Sequence, residues 1–200
     1  MLIRKRNWVV YSFSVMFMTL IYLYSSVIYD YVSNESGSSG GNSILGGYQL
    51  TSHDGRTFTQ ADFIGKWSLI HFGYLSCPDV CPTNFMMIAR LEKRLAQSNK
   101  KIPQFIFVSL DPERDKVSNI KTYVEYFGDN TTGVTGDLAN ISEIARSFNL
   151  YFRKSEVNDG MYSLDHNGSI FLINPRGMVE EVFPFPLDIK TALRNITQKT

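Results

Sequence analysis

A loop carrying both cysteines of the chain joins a buried strand to an amphipathic helix, and this unit constrains the fold more than any other segment. The predicted strand is the apolar run WSLIHFGY at 67–74. The loop LSCPDVCPTN follows, and within it Pro82 and Thr83 predict the start of a helix. The next segment, FMMIARLEKRLAQS, has apolar residues at helical spacing. The unit is therefore a strand that delivers two cysteines to the N-terminus of a helix.

The rest of the folded part alternates predicted strands with predicted helices, which indicates an α/β sheet. Placing a cysteine pair between a strand and a helix is the thioredoxin arrangement, here with one extra residue between the cysteines. The other predicted elements are a hairpin turning at Asp54-Gly55, a strand at 104–111, a helix ending at Gly128, a short helix and a strand within 134–154, a hairpin turning at Pro175–Gly177, and a closing helix within 187–198.

An uncharged segment runs from Asn7 to Tyr29. A membrane-spanning helix needs about 20 mostly apolar residues, and this segment is long enough. Arg4, Lys5 and Arg6 precede it, and basic flanks stay on the cytoplasmic side. We therefore predict a single-pass inner-membrane anchor with the C-terminal domain in the periplasm, or in the intermembrane space if the protein is mitochondrial. A cleaved signal peptide is the alternative, although its apolar region is usually shorter.

The predicted organisation is a cytoplasmic tail (1–6), a transmembrane anchor (7–29), a flexible linker (30–45) and a folded domain (46–200). The linker contains the Gly/Ser-rich run SNESGSSGGNS, whose composition is typical of flexible connections. The net charge of the chain is +1 and the N-terminal tail is basic, so the remainder is slightly acidic. That balance gives no reason to expect nucleic-acid binding.

The cysteine pair, Cys77 and Cys81, is the strongest chemical signal in the sequence. A thiol just before a helix loses its proton more readily, because backbone N–H groups and the helix dipole favour an anion there. Two thiolates on one loop can form a disulfide or hold a soft cation such as Cu(I), zinc or an iron–sulfur cluster. A structural zinc site needs four ligands, so these two cysteines would require further ligands from elsewhere.

Three histidines are available as further ligands. His53 lies on a predicted turn, and His71 lies inside the strand at 67–74, where a hydrogen-bonded core histidine is the simpler interpretation. His166 lies at a polar break that precedes a buried strand, in a predicted loop that passes near the cysteines. Two thiolates and one imidazole form a three-coordinate set that suits Cu(I), and Cu(II) could add an oxygen ligand.

Three separated segments resemble the signature motifs of the Sco/SenC family: FGYLSCPDVCP at 72–82, VSLDPERD at 108–115, and Y-x-x-D-H at 162–166. The resemblance extends over about 45–185. One departure is Leu75-Ser76, where many members have Thr-His. The resemblance implies a thioredoxin-like fold and copper, as Cu(I) or Cu(II), bound by Cys77, Cys81 and His166.

The family resemblance also implies that the protein binds and transfers copper rather than catalysing a turnover reaction. The expected partners are a copper donor protein and the copper-containing subunit of cytochrome c oxidase, whose copper centre the protein helps to assemble. Asp79, Asp111 and Asp165 are candidates for supporting the site, the first two through negative potential and Asp165 by orienting His166.

Two other functions remain open on the residues alone. A thiol–disulfide reductase would use Cys77 and Cys81 as its redox pair and keep oxidase-subunit cysteines reduced, without a need for His166. A thioredoxin-like peroxidase would need a low-pKa cysteine in a Thr/Arg-supported pocket, and neither Arg90 nor Arg114 is clearly placed for that.

Overall fold

The structure is a computed structural model that describes residues 46–157 and 161–200 together with Met18 and Thr19. The predicted tail and linker lie outside these residues, as does the predicted anchor apart from Met18 and Thr19. In the part of the chain that is described, no helix combines the length and the apolar character needed to cross a membrane. All elements named below belong to the compact unit Asn42–Thr200.

The described residues form strands and helices in alternation, as the sequence predicts. The strands are β1 (Leu50–Ser52), β2 (Thr57–Phe58), β3 (Ser68–Gly73), β4 (Gln104–Ser109), β5 (Thr131–Thr135), β6 (Phe152–Val157), β7 (Met161–His166), β8 (Ile170–Ile173) and β9 (Val179–Phe183). The α-helices are α1 (Val80–Gln97), α2 (Val117–Phe127), α3 (Leu138–Ser147) and α4 (Ile189–Lys199), and a 3-10 helix covers Gln60–Phe63.

A seven-stranded mixed sheet holds β3 between β4 and β8, in the order β2-β1-β5-β4-β3-β8-β9. The pairs β3–β4 and β4–β5 are parallel, whereas β8 runs antiparallel to β3. Strands β6 and β7 form a separate antiparallel pair. The predicted α/β class is confirmed, and the sheet places the cysteine loop at the carboxyl end of an inner strand.

Alternate side chains of β3 enter two different hydrophobic cores, because successive residues of a strand point to opposite faces. Ile70 and Phe72 pack in the core that also contains the buried residues of α3. Leu69 packs in the core beneath α1, α2 and α4. His71 and Gly73 follow Leu69 by two and four residues, so they lie on the same face of β3 as Leu69. This face is the one that packs against α1.

Helix α1 begins at Val80, with Asp79 at the N-cap, so the sequence prediction of a start at Pro82 was two residues late. Proline is tolerated in the first turn of a helix, where its missing N–H would have no intrahelical partner. The earlier start places Cys81 in the first turn of α1, directly over β3.

We expect the fragment Gly46–Thr200 to fold without the preceding residues, because both hydrophobic cores consist of residues from Tyr48 onward. Circular dichroism in reducing buffer should show one cooperative thermal transition. A non-cooperative melt, with near-ultraviolet dichroism absent, would contradict this expectation.

Candidate metal centre

The two cysteines are free thiols with different accessibility. Cys81 is fully buried in the first turn of α1, whereas Cys77 is half-buried in the loop before it. The loop is fixed at its start, since the Leu75 amide donates to the Asp115 carboxylate over 2.9 Å. The Cys77 amide donates to the Tyr74 carbonyl over 3.2 Å. One thiol therefore faces the interior and the other is within reach of a partner.

His166 is the last residue of β7 rather than part of a loop, which corrects the sequence prediction. Its Nδ1 lies 3.0 Å from the carbonyl of Leu164, to which it donates. This hydrogen bond leaves Nε2 as the atom available for a metal. Nε2 of His166 is buried and has no hydrogen-bond partner among the described residues.

His71 is fully buried in the middle of β3, as predicted. However, only one of its two ring nitrogens has hydrogen-bond partners among the described residues. Its Nδ1 lies 3.4 Å from the Ser169 carbonyl oxygen and 3.4 Å from Asn84 Nδ2. Its Nε2 is buried without a hydrogen-bond partner in the described part of the chain. Two imidazole nitrogens of this region, one from His71 and one from His166, are thus left with free lone pairs.

These nitrogens converge on a buried thiol. One ligand atom from each of His71, Cys81 and His166 lies within 4.8 Å of the other two. The imidazole rings of His71 and His166 have centroids 6.4 Å apart. Cys77 adjoins the group, since its sulfur accepts a hydrogen bond from the Cys81 thiol. The structure therefore brings together the three residues predicted from the sequence and adds His71.

Gly73 makes room for this cluster. A Cβ atom at this position would lie 2.4 Å from Cys81 Sγ and 3.4 Å from His71 Nε2. The first distance is far below van der Waals contact, so any larger residue would displace the thiol. The thiol and the imidazole therefore both lie over a strand position with no side chain.

The protonation states suit a soft metal ion. The hydrogen bond from Cys81 lowers the pKa of Cys77 to about 5, and the same bond, together with burial, raises the pKa of Cys81. Burial lowers the pKa of His71 to about 3, so this imidazole is neutral at pH 7. The metal-free site therefore holds one thiolate, one thiol and a neutral imidazole, and a metal ion binding there would displace the Cys81 proton.

Strand β7 is held in place by a partly buried network around Arg114. The guanidinium carbon lies 3.7 Å from the ring centroid of Tyr162, and Nη1 donates to the Tyr162 carbonyl over 3.0 Å. The Tyr162 hydroxyl donates to Asp111 over 2.8 Å, and Asp111 forms an ion pair with Arg114. Asp111 thus fixes the strand that carries His166.

Asp79 and Asp165 are both exposed. Asp79 occupies the N-cap position of α1, where its side chain makes no capping hydrogen bond to the backbone, and it accepts a 3.3 Å hydrogen bond from the Thr83 hydroxyl. The prediction that Asp165 orients His166 was wrong, because neighbouring side chains of β7 point to opposite faces. The Asp165 carboxylate instead accepts hydrogen bonds from Arg153 and Ser155, and the Leu164 carbonyl orients His166.

Sequence reasoning missed His71 and Gly73 as parts of the site. The signal that could have revealed them is their spacing of two in β3, which places both on one face next to the cysteine loop. It also missed Arg114, whose role depends on a contact with a strand far away in the sequence.

The fold and the site together define a thioredoxin-like α/β protein with a buried cysteine–histidine cluster at the end of an inner strand. The profile of the family described as SCO1/SenC matches residues 36–200. The chain belongs to the SCO1/SenC family, as the sequence motifs predicted.

Curated relatives show the same relationship. The Arabidopsis thaliana protein named SCO1 homolog 1, mitochondrial, is 32% identical over 145 residues, which are 72% of this chain and 43% of the relative. The human SCO1 homolog, mitochondrial, is 35% identical over 149 residues, which are 72% of this chain and 48% of the relative. The chain therefore spans about half the length of these relatives.

Solved structures of similar proteins include three with copper bound. Arabidopsis thaliana ScoI has a TM-score of 0.73 at 29% identity, covering 78% of this chain and 97% of that one. Bradyrhizobium japonicum ScoI has a TM-score of 0.66 at 32% identity, covering 78% and 99%. Yeast Sco1 has a TM-score of 0.70 at 27% identity, covering 77% and 87%.

The low pKa of Cys77 predicts selective alkylation. In reduced, metal-free protein, iodoacetamide at pH 7 should modify Cys77 well before Cys81, because only Cys77 is both partly exposed and ionised. A thiol whose pKa is lowered to about 5 stays reactive above that pH and loses reactivity as the pH falls through it. Peptide mass spectrometry would follow both sites across pH 4 to 9. In Cys81→Ala the midpoint for Cys77 should move up towards 8.5, and an unchanged midpoint would contradict the assigned cause.

Replacing Gly73 by alanine should damage the site more than the fold. The new Cβ would displace the Cys81 sulfur, and forcing a methyl group into a packed interior costs about 1–3 kcal/mol. We expect metal affinity to fall at least tenfold while the protein still unfolds cooperatively. Gly47→Ala is a matched control, because a Cβ there meets nothing within 4 Å. Equal metal affinity in both variants would show that Gly73 is unimportant for the site.

Proposed function

We propose that the reduced protein binds one copper ion through Cys77, Cys81 and His166. The observation that carries this proposal is the buried cluster in which ligand atoms of His71, Cys81 and His166 lie within 4.8 Å of one another. Both histidines of this cluster have an Nε2 without a hydrogen-bond partner among the described residues. Buried polar atoms are nearly always hydrogen-bonded, so two unpartnered nitrogens facing a thiol favour a metal-binding role. Thiolates and imidazoles are ligands that copper accepts in either oxidation state.

The donor set favours copper over other divalent metals. For a given set of nitrogen and sulfur ligands, affinity peaks at Cu(II) and is lower for zinc. The solved relatives that hold copper share this fold over more than three quarters of the chain. Family membership and ligand chemistry therefore support the same metal.

We further propose that copper is cargo, received from a donor protein and passed to the copper-containing subunit of cytochrome c oxidase, as the Sco/SenC resemblance implies. Cys77 is the half-exposed ligand, whereas Cys81 is fully buried. A partner's thiol or imidazole could therefore reach the metal on the Cys77 side, and ligand exchange would begin there.

The basic residues at 4–6 and the uncharged segment at 7–29 support a further proposal about location. A single membrane anchor would hold the folded domain in the periplasm, or in the intermembrane space of a mitochondrion. That position would keep the copper site on the side of the membrane where it could meet an oxidase subunit.

A thiol–disulfide reductase is the second candidate, and one observation favours it. Cys77 combines a pKa of about 5 with partial exposure, and the buried Cys81 lies against it. The Cys77 thiolate would attack a substrate disulfide, forming a mixed disulfide and releasing one substrate thiolate. Cys81, losing its proton, would then attack Cys77 and release the second thiolate, so that the substrate is reduced and Cys77–Cys81 is oxidised.

Copper titration separates these functions. Reduced protein should bind one copper ion per chain, and the Cys77–Cys81 disulfide form should bind far less, because thiolates are the ligands. Removing a residue that only hydrogen-bonds to a metal ligand typically lowers metal affinity about 10–100-fold. His166→Ala should lower Cu(II) affinity by more than that, with little change in the reduction potential of the thiol pair. His53→Ala, outside the site, is the matched control. Unchanged affinity of His166→Ala for both copper ions would favour the reductase.

A further inference from the structure

We infer that His71 is a fourth copper ligand, which binds through Nε2 from strand β3. It increases the affinity for Cu(II) more than the affinity for Cu(I). This inference rests on the proposed copper-binding function and extends its ligand set. Cys77 comes from the loop before α1, Cys81 from the first turn of α1 and His166 from the end of β7. His71 comes from the middle of an inner sheet strand.

The first support is the unpartnered nitrogen. His71 is fully buried, yet its Nε2 meets no hydrogen-bond partner in the described part of the chain. Leaving a buried polar atom without a partner costs about 1–3 kcal/mol. A valine or leucine would fill the same strand position without that cost, so stability alone does not account for an imidazole here.

The second support is the direction of the ring. Its Nδ1 side faces the Ser169 carbonyl and Asn84, at 3.4 Å from each. This orientation directs Nε2 to the opposite side of the ring. One nitrogen of the ring lies within 4.8 Å of ligand atoms of both Cys81 and His166. Ligand distances of about 2.1 Å for nitrogen and 2.3 Å for sulfur require only about 1 Å of closure around a metal ion.

The third support is the space over Gly73. The Cβ position of Gly73 is 3.4 Å from His71 Nε2 and 2.4 Å from Cys81 Sγ, so the nitrogen and the sulfur border the same gap. A side chain at position 73 would fill this gap, and the imidazole of His71 and the thiol of Cys81 could not then both approach a metal ion in it.

A fourth ligand would matter differently for the two copper ions. Two thiolates suffice for Cu(I), which accepts few ligands, whereas Cu(II) prefers additional nitrogen or oxygen ligands. His71 therefore strengthens Cu(II) binding more than Cu(I) binding. Stabilising the oxidised ion relative to the reduced one lowers the reduction potential of the bound copper.

The test compares the full-length chain with His71→Phe, which keeps a ring in the buried position. We expect Cu(II) affinity to fall at least tenfold and Cu(I) affinity to fall less than about threefold. For a one-electron couple each tenfold difference between the two losses raises the copper potential by about 59 mV. Pulsed electron paramagnetic resonance should detect two imidazoles on wild-type Cu(II) and one on His71→Phe.

A second measurement leaves His71 in place. The chain has three histidines, so the double variant His53→Ala, His166→Ala retains only His71. An imidazole coupling on Cu(II) in that variant can come only from His71, and its absence would overturn the inference. Equal Cu(II) affinity in wild type and His71→Phe would likewise make His71 a core residue, with the proposed function intact. A wild-type chain that binds no copper would overturn both.

Discussion

The approach of α1 to β3 is the constraint on which the site depends. Helix α1 starts at Val80, and its first turn places the Cys81 sulfur over the backbone of Gly73. That contact is possible only because position 73 has no Cβ atom. It buries Cys81 completely and leaves Cys77 at the edge, so the two thiols differ in exposure although only three residues separate them. Their different pKa values follow from the same arrangement, since the buried Cys81 thiol donates a hydrogen bond to the sulfur of the partly exposed Cys77.

Contacts that are distant in the sequence hold the histidine side of the site. The buried Asn84 of α1 donates to the Gly168 carbonyl over 2.8 Å, which ties the loop after β7 to the helix that carries Cys81. At the other end of β7, Tyr162 stacks on Arg114 and donates to Asp111. His166 lies between these two attachments, so its position is set by the packing of α1 and of the segment that follows β4.

The proposed copper binding and the proposed thiol chemistry would use the same two sulfur atoms and would therefore exclude one another at any moment. Copper held by Cys77 and Cys81 would need both sulfurs reduced, whereas a disulfide would remove them as thiolate ligands. The two imidazoles distinguish these functions, because metal binding would use them as ligands whereas thiol–disulfide exchange at Cys77 and Cys81 needs neither of them. Unpartnered nitrogens on both His71 and His166 thus favour metal binding as the purpose of the cluster.

The sequence by itself determined the α/β class, the strand–loop–helix unit with Cys77 and Cys81, the turns at Gly55 and Gly177, and the family, because strand and helix periods, turn residues and motifs are local. The tertiary structure decided what depends on distant contacts. It placed His166 on a strand, turned Asp165 away from it, and started α1 early enough to bury Cys81. It also made His71 part of the site. From the sequence, a histidine within an apolar run is indistinguishable from a core residue, because the groups that pack against it are unknown. Those groups are the Cys81 thiol and the His166 imidazole, which lie 10 and 95 residues further along the chain.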